Sequence, residues 1–252
     1  MGRFDGFLIC SDIDGTFASG GEVPARNLEA LARFQAEGGR FTFATGRMAP
    51  YWEIFPIRPN APVISANGTV IADGETGRTL WTFPLDGCGN LLEWLDGFEG
   101  KINLHYTGGY VTVSDGKVSE AFLNQSLGDL LKIVCFAFPD EAVARAFRDC
   151  ARKRFGSRYG ISRSWDTGVE FISPLGGKGS CLNCLRRLCE DVHTVVAVGD
   201  YENDRSMLLA ADRAFAPANA CPEILNEAVE VVCSCENGSL GDVIDRLESS
   251  LS

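Results

Sequence analysis

The chain has 252 residues, 45% of them hydrophobic, enough for one or two domains that each bury a core. Its formal net charge of −11 argues against nucleic acid or an anionic membrane as partner, because both need a basic face. No apolar run approaches the length of a membrane span and no basic segment followed by an apolar one opens the chain. Met1-Gly2 also lacks the hydroxyl residue at position 6 that a myristoylation signal needs, Gly6 standing there instead, so the expectation is a cytoplasmic protein.

In chain order, Phe7-Leu8-Ile9-Cys10 has the length and type of a buried strand and runs into Ser11-Asp12-Ile13-Asp14-Gly15-Thr16. Strand alternation puts Asp12 and Asp14 on one side. Two anions so placed repel each other unless a positive charge sits between them, and a divalent cation is the simple remedy. An Asx-type turn explains the same residues without chemistry. Pro24 opens a helix carrying Leu28, Leu31 and Ala32, closed by Gly38-Gly39. Phe41 to Ala44 is the next strand, ending in Thr45-Gly46-Arg47, and Val63-Ile64-Ser65 the third, ending in Ala66-Asn67-Gly68. Asp73-Gly74 between Val70-Ile71-Ala72 and Leu80 to Phe83 is a hairpin signal.

The texture changes over residues 85–172. Cys88 to Phe98 reads as a helix, Ile102 to Tyr106 with Tyr110 to Val113 as a hairpin, Leu130 to Phe138 as a strand, and Asp140 to Arg154 as a capped helix. Tyr159 to Ser164 and Val169 to Ile172 form a second hairpin, and together these suggest a small α+β unit. From Gly176 the first texture returns, with a helix after Lys178, strands at Thr194 to Val198, Ala214 to Ala216 and Val229 to Val232, and a closing amphipathic helix with Leu240, Val243, Ile244 and Leu247. The fold class is therefore α/β, a doubly wound, Rossmann-like parallel sheet with an inserted α+β domain. Residues 1–84 and 173–252 form the core and 85–172 the insertion. Sites in such sheets lie at the carboxyl ends of strands, where every polar cluster here falls.

Thr45-Gly46-Arg47 supplies a hydroxyl, a close-approaching backbone N–H and a guanidinium, all phosphate-binding groups, although a turn with a surface arginine accounts for them equally well. Gly176-Gly177-Lys178-Gly179 offers an ammonium at a helix start but is no Walker A loop, since Ile172 replaces the first glycine and Gly179 the hydroxyl residue. Gly199-Asp200-Tyr201-Glu202-Asn203-Asp204 is a second acidic cluster after a strand, richer in hard oxygens than an N-cap needs, and magnesium wants such ligands. There is no G-x-S-x-G elbow and no complete G-x-G-x-x-G, and the two histidines, His105 and His193, are poorly placed for catalysis. Of the ten cysteines, Cys10, Cys135, Cys150 and Cys233 lie in apolar runs and read as buried thiols, while Cys181, Cys184, Leu185 and Leu188 read as one helix face and not as a zinc site.

The ordered set Asp12-x-Asp14-Gly15-Thr16, Thr45-Gly46-Arg47, Lys178 and Gly199-Asp200-x-x-Asn203-Asp204 resembles the haloacid dehalogenase superfamily. The insertion before Lys178 points to its Cof-type phosphatases, which carry an α/β cap there. Ser65-Ala66-Asn67-Gly68, Glu170-Phe171-Ile172 and Asn219-Ala220 are further family-like stretches, so that the resemblance covers nearly the whole chain. It implies a phosphatase acting on a small phosphorylated metabolite, a sugar phosphate first of all. Asp12 would be the nucleophile that forms an aspartyl-phosphate and Asp14 the acid and base. Mg²⁺ would be held by Asp12, Asp200 and the Asp14 carbonyl, with Asp204 completing the shell. Thr45, Gly46, Lys178 and Asn203 would bind the phosphoryl group, and Arg47 and Asn67 are candidate substrate contacts. The inserted unit is short for a Cof-type cap and nearer in size to those of phosphoglycolate, sucrose-phosphate and mannosyl-phosphoglycerate phosphatases, so a phosphoglycolate-type or mannosyl-phosphoglycerate-type substrate is the alternative. Tyr106, Tyr110, Arg163 and Trp165 are candidates for its substrate face, against packing within the unit. A phospho-accepting receiver or a silent phosphate-binding regulator is the reading from another class; a receiver needs no insertion and would not carry its acceptor on the first strand.

Overall fold

The structure is a computed structural model that describes residues 2–114, 117–227 and 229–251. In chain order its elements are β1 (Phe7–Ser11), α1 (Ala25–Ala36), β2 (Arg40–Phe43), β3 (Val63–Ser65), β4 (Val70–Ala72), β5 (Thr79–Thr82), α2 (Gly89–Leu95), β6 (Lys101–Tyr106), β7 (Gly109–Val113) and α3 (Val118–Leu123). There follow β8 (Leu130–Phe136), α4 (Glu141–Phe155), β9 (Gly160–Trp165), β10 (Gly168–Ile172), α5 (Lys178–Leu188), β11 (Thr194–Val198), α6 (Arg205–Ala210), β12 (Arg213–Pro217), α7 (Pro222–Leu225), β13 (Glu230–Val232) and α8 (Ser239–Ser250). The chain divides into two compact units, Met1–Trp81 with Lys178–Ser252, and Thr82–Gly177.

The first unit is built on a five-stranded parallel sheet of order β13-β12-β11-β1-β2. Its strands are short apolar runs because both faces are covered. Leu8, Ile9, Cys10, Phe41, Phe43, Val195, Val196, Val198 and Phe215 are all inaccessible to solvent, each large aliphatic or aromatic side chain contributing about 1.5–3 kcal/mol by burial. α1 packs on α8, and α5 on α6. Phe17, Phe41, Phe43 and Phe55 form an aromatic cluster with edge-on and tilted contacts. Beyond β2 a small antiparallel sheet, β3-β4-β5, is joined by a parallel bridge between Ala44 and Ile64. The architecture is thus mixed α/β, one parallel sheet accompanied by antiparallel ones.

The second unit is an antiparallel sheet of order β7-β6-β8-β10-β9 with α2, α3 and α4 contributing to a single core. Asp140 caps α4 by accepting the Val143 N–H at 2.9 Å, as its position before an apolar-periodic run predicts. Alternation sends Ile102, Leu104 and Tyr106 of β6 and Ile133 and Cys135 of β8 into that core. Lys132 and Glu170 lie off it and pair at 2.8 Å, both buried.

Several expectations need correction. Cys150 is exposed and Cys233 half-buried, since the outer side of α4 and the loop after β13 place them at the surface; all ten cysteines are free. Leu188 is 65% exposed at the end of α5, so the buried side of that helix is Cys181, Leu182 and Leu185. For the four candidates of the inserted unit, the packing reading holds at Tyr106, in the core of the second unit, and at Arg163, fully buried and tied to Glu141 at 2.8 Å, whereas Tyr110 and Trp165 are exposed. No helix among the described residues is long and apolar enough to cross a membrane.

Candidate active site

Five chain segments meet at the carboxyl ends of the parallel strands: the turns after β1, β2, β3 and β11, and the start of α5. β1 lies between β11 and β2, so Asp12 emerges between those two strand ends. Its backbone N–H continues the ladder to Val198 O at 2.9 Å, which fixes where the side chain begins.

Lys178 organises the charges. As the first residue of α5 it is buried to 1% exposure, and its Nζ lies 2.6 Å from Asp12 Oδ1 and 2.5 Å from Asp204 Oδ1. Burial alone would lower the lysine's pKa; Asp12 and Asp204 outweigh that and hold it well above its ordinary value. Gly179 must follow, because a Cβ there would sit 2.3 Å from the Ser206 carbonyl oxygen of α6. Asp204 uses its second oxygen to accept the N–H groups of Asp200 and Tyr201 at 3.0 and 3.1 Å, so that one carboxylate shapes the turn and anchors the lysine.

Asp200 is the third acid. Thr16 donates to its Oδ1 at 2.6 Å. Burial, then the neighbouring Asp204, pushes its pKa up to about 7, and burial likewise raises Asp12 well above the carboxylate range despite Lys178. Oxygens of Asp12, Asp200 and Asp204 lie within 4.8 Å of one another, and no other cluster of metal-ligating side chains occurs among the described residues. The set fits a hard divalent cation: three carboxylates face one ammonium, and burial and the neighbouring acids hold two of them against their own ionisation. Gly15, at φ +83°, leaves the space open, since a Cβ there would come within 2.5 Å of Asp200 Oδ2.

Asp14 stands apart, half-exposed, gripped at both oxygens by Arg47 through Nε and Nη2 at 2.8 Å each. The guanidinium also lies 4.0 Å over the Tyr51 ring. Thr45 Oγ1 accepts the Arg47 N–H at 3.1 Å, and the Thr45 carbonyl accepts that of Asn67 at 2.9 Å. Asn203 Nδ2 donates to Asn67 Oδ1 at 2.9 Å. The ten singled-out residues Asp12, Asp14, Thr45, Gly46, Arg47, Asn67, Lys178, Asp200, Asn203 and Asp204 thus form one connected set within the first unit. Asn219 joins them: its Nδ2 donates to the Gly15 carbonyl at 2.8 Å and its Oδ1 accepts the Cys235 N–H at 2.7 Å, pinning the first turn. Sequence marks Asn219 only as a family-like stretch, and the two contacts that give it a purpose are far away in the chain.

The profile of the haloacid dehalogenase-like hydrolases matches residues 9–244. The chain belongs to this family. It is an enzyme, a phosphatase of the haloacid dehalogenase superfamily. It is similar to the HMP-PP phosphatase of Serratia proteamaculans, 26% identical over 95% of this chain and 94% of the relative. It is likewise similar to the 5-amino-6-(5-phospho-D-ribitylamino)uracil phosphatase of Bacillus subtilis, 23% identical over 96% and 98%. A shorter match, to a Mycoplasma genitalium protein, is 37% identical over 82 residues, 29% of that protein. Among solved structures, a haloacid dehalogenase-like hydrolase from B. subtilis superposes with a TM-score of 0.82 at 23% identity, over 95% of this chain and 99% of that one. A subclass IIB sugar phosphatase of the superfamily gives 0.76 at 14%, over 96% and 98%. These two likenesses concern the fold.

Proposed function

We propose that this phosphatase is magnesium-dependent and hydrolyses a small phosphomonoester, a sugar phosphate by first preference, through an aspartyl-phosphate on Asp12. The observation that carries the reading is the buried group of Asp12, Asp200 and Asp204 around the single ammonium of Lys178. Mg²⁺ would be held by the carboxylates of Asp12 and Asp200 and the backbone carbonyl of Asp14. Asp204, with both oxygens already engaged, would join that shell through water. When bound, the ion supplies positive charge against the carboxylates and the phosphoryl oxygens.

In the first step a carboxylate oxygen of Asp12 bonds to phosphorus as the bond to the leaving oxygen breaks, and Asp14 gives that oxygen a proton. In the second, Asp14 takes a proton from water, whose oxygen bonds to phosphorus and releases Asp12 and phosphate. Lys178, Thr45, the Gly46 N–H and Asn203 offer donors to the three phosphoryl oxygens, the kind of fixed electrostatic positioning on which phosphoryl transfer depends. Arg47 is a candidate contact for the substrate, set on its ring of Tyr51.

The unit over Thr82–Gly177 is, in this reading, the inserted cap that excludes water and reads the leaving group. The superfamily's sugar phosphatase favours a sugar phosphate, while the two curated relatives act on other phosphate compounds, so the leaving group is the open variable. Phosphate release from a panel of sugar phosphates, phosphoglycolate and nucleotides, with magnesium, with chelator and in Asp12→Asn, tests the proposal. Release that needs both magnesium and Asp12 is the expected result. No release from folded, magnesium-loaded protein would overturn it in favour of a phosphate-binding regulator.

A further inference from the structure

Ala66, Asn67 and Gly68 are three consecutive residues with left-handed φ angles of 51°, 57° and 82°. Glycine accepts that region freely, but a residue with a Cβ is disfavoured there by about 1–2 kcal/mol, Asn less than most. The turn persists because its surroundings fix it. The Ala66 N–H donates to the Arg47 carbonyl at 2.8 Å, Thr69 Oγ1 to the Ala66 carbonyl at 3.1 Å, and Cys181 Sγ to the Gly68 carbonyl at 3.2 Å. Strain held by its neighbours in this way points to a task.

The task is visible in the side chain. Asn67 is 3% exposed, and its Oδ1 accepts one N–H of the Asn203 carboxamide at 2.9 Å. The carboxamide lies close to the phosphate-loop glycine, where a Cβ on Gly46 would be 3.2 Å from Asn67 Nδ2. A carboxamide nitrogen carries two hydrogens, so Asn203 keeps a second N–H beyond the one given to Asn67. Its own Oδ1 is buried without a hydrogen-bond partner. A buried carbonyl oxygen left in that state is unfavourable, and the amide would gain by turning over unless something held the nitrogen in place.

We infer that Asn67 is a positioning residue that holds the Asn203 carboxamide nitrogen-forward, so that its second N–H meets a phosphoryl oxygen where a carbonyl would repel it. The inference rests on the reading of Asn203 as a phosphoryl ligand. The left-handed turn is the means: it sets an acceptor oxygen, and not a donor, against Asn203 Nδ2.

The test is a double-mutant cycle of Asn67→Gly and Asn203→Ala in the full, magnesium-loaded chain, read by titration calorimetry with inorganic phosphate and by KM and kcat on the best ester of the panel. Glycine suits the left-handed angle and lacks the acceptor. Asn67→Gly is expected to weaken phosphate binding about tenfold and raise KM by a similar factor. In the Asn203→Ala background the same change should alter phosphate affinity less than about twofold, since its effect passes through Asn203. Unchanged phosphate affinity in Asn67→Gly, or an equal loss in both backgrounds, would overturn the inference. Wild-type protein that binds phosphate yet turns over no ester would bring down the phosphatase reading alone, and the calorimetric cycle would still decide the role of Asn67.

Discussion

Two buried lysines, one in each unit, show how differently the same residue can be used. Lys132 of β8 meets Glu170 of β10 at 2.8 Å, diagonal neighbours on one face of an antiparallel sheet, one charge of each sign. Lys178 meets Asp12 and Asp204, with Asp200 alongside, at the open ends of a parallel sheet. The first arrangement is balanced and sits in mid-strand. The second is short of positive charge and sits where chain direction leaves room for a ligand. Charge balance, more than burial, separates a lysine that holds a sheet from one that holds a site.

Removing each lysine probes this contrast most strongly. Lys178→Met should reduce phosphate release by a factor of about 10³ or more, because Asp12, the proposed nucleophile, loses its partner and the proposed phosphoryl site a cation. Lys132→Met should leave that chemistry intact and destabilise the protein by about 3–5 kcal/mol, since Glu170 loses its buried ionic partner. Pairing it with Glu170→Leu should restore most of the stability, whereas Lys178→Met with Asp204→Leu should restore no activity. Urea unfolding and initial rates on the four variants check the outcome. Equal activity losses at the two lysines would erase the distinction.

The pH dependence sharpens it. The Asp200 carboxyl has its pKa at about 7 in the fold against roughly 4 in an unfolded chain, so between those values the native state binds the extra proton. Stability from this group is therefore present at low pH and lost as pH rises from about 4 to about 7. His105 works in the opposite sense over the same window, since burial, then Lys132, lowers its pKa to about 4. It contributes stability as pH rises toward the ordinary histidine value. A bound divalent cation cancels the first effect and leaves the second. The difference in melting temperature between magnesium-loaded and chelated protein should thus widen from pH 5 to pH 7.5. A constant difference would place the metal away from Asp200.

Much of this was legible in the sequence. Asp12, Thr45, Asn67 and Asp200 each follow a short apolar strand, and the parallel sheet brings strand ends together whatever the loop details. What stayed hidden spans long stretches of chain: Thr16 with Asp200 and Asn219 with Gly15, 184 and 204 residues apart, leave no local pattern. Local periodicity also misjudged exposure where an element ends or turns outward, as at Leu188 and Cys150, and it passed over α3, whose six residues are too short for a helical repeat to declare itself. Tyr106, Tyr110, Arg163 and Trp165 look alike in sequence, each open to packing or to a substrate face, and only the folded sheet separates the buried Tyr106 and Arg163 from the exposed Tyr110 and Trp165.

The smallest expected effect concerns Thr16. Its hydroxyl is fully buried and donates to Asp200 Oδ1 at 2.6 Å, the one contact that favours the ionised form of that acid ahead of Lys178. Thr16→Val keeps the shape and removes the donor, so the Asp200 carboxyl should be pushed higher still and bind magnesium less readily near neutral pH. Magnesium titrations of phosphate release should show a several-fold rise in the concentration needed for half-maximal rate, with the saturated rate within about twofold of the parent. Raising the pH should narrow the gap, since deprotonation then no longer limits binding. A lowered saturated rate would instead place the hydroxyl in the Asp14 turn as a support for proton transfer, with no share in the charge of Asp200.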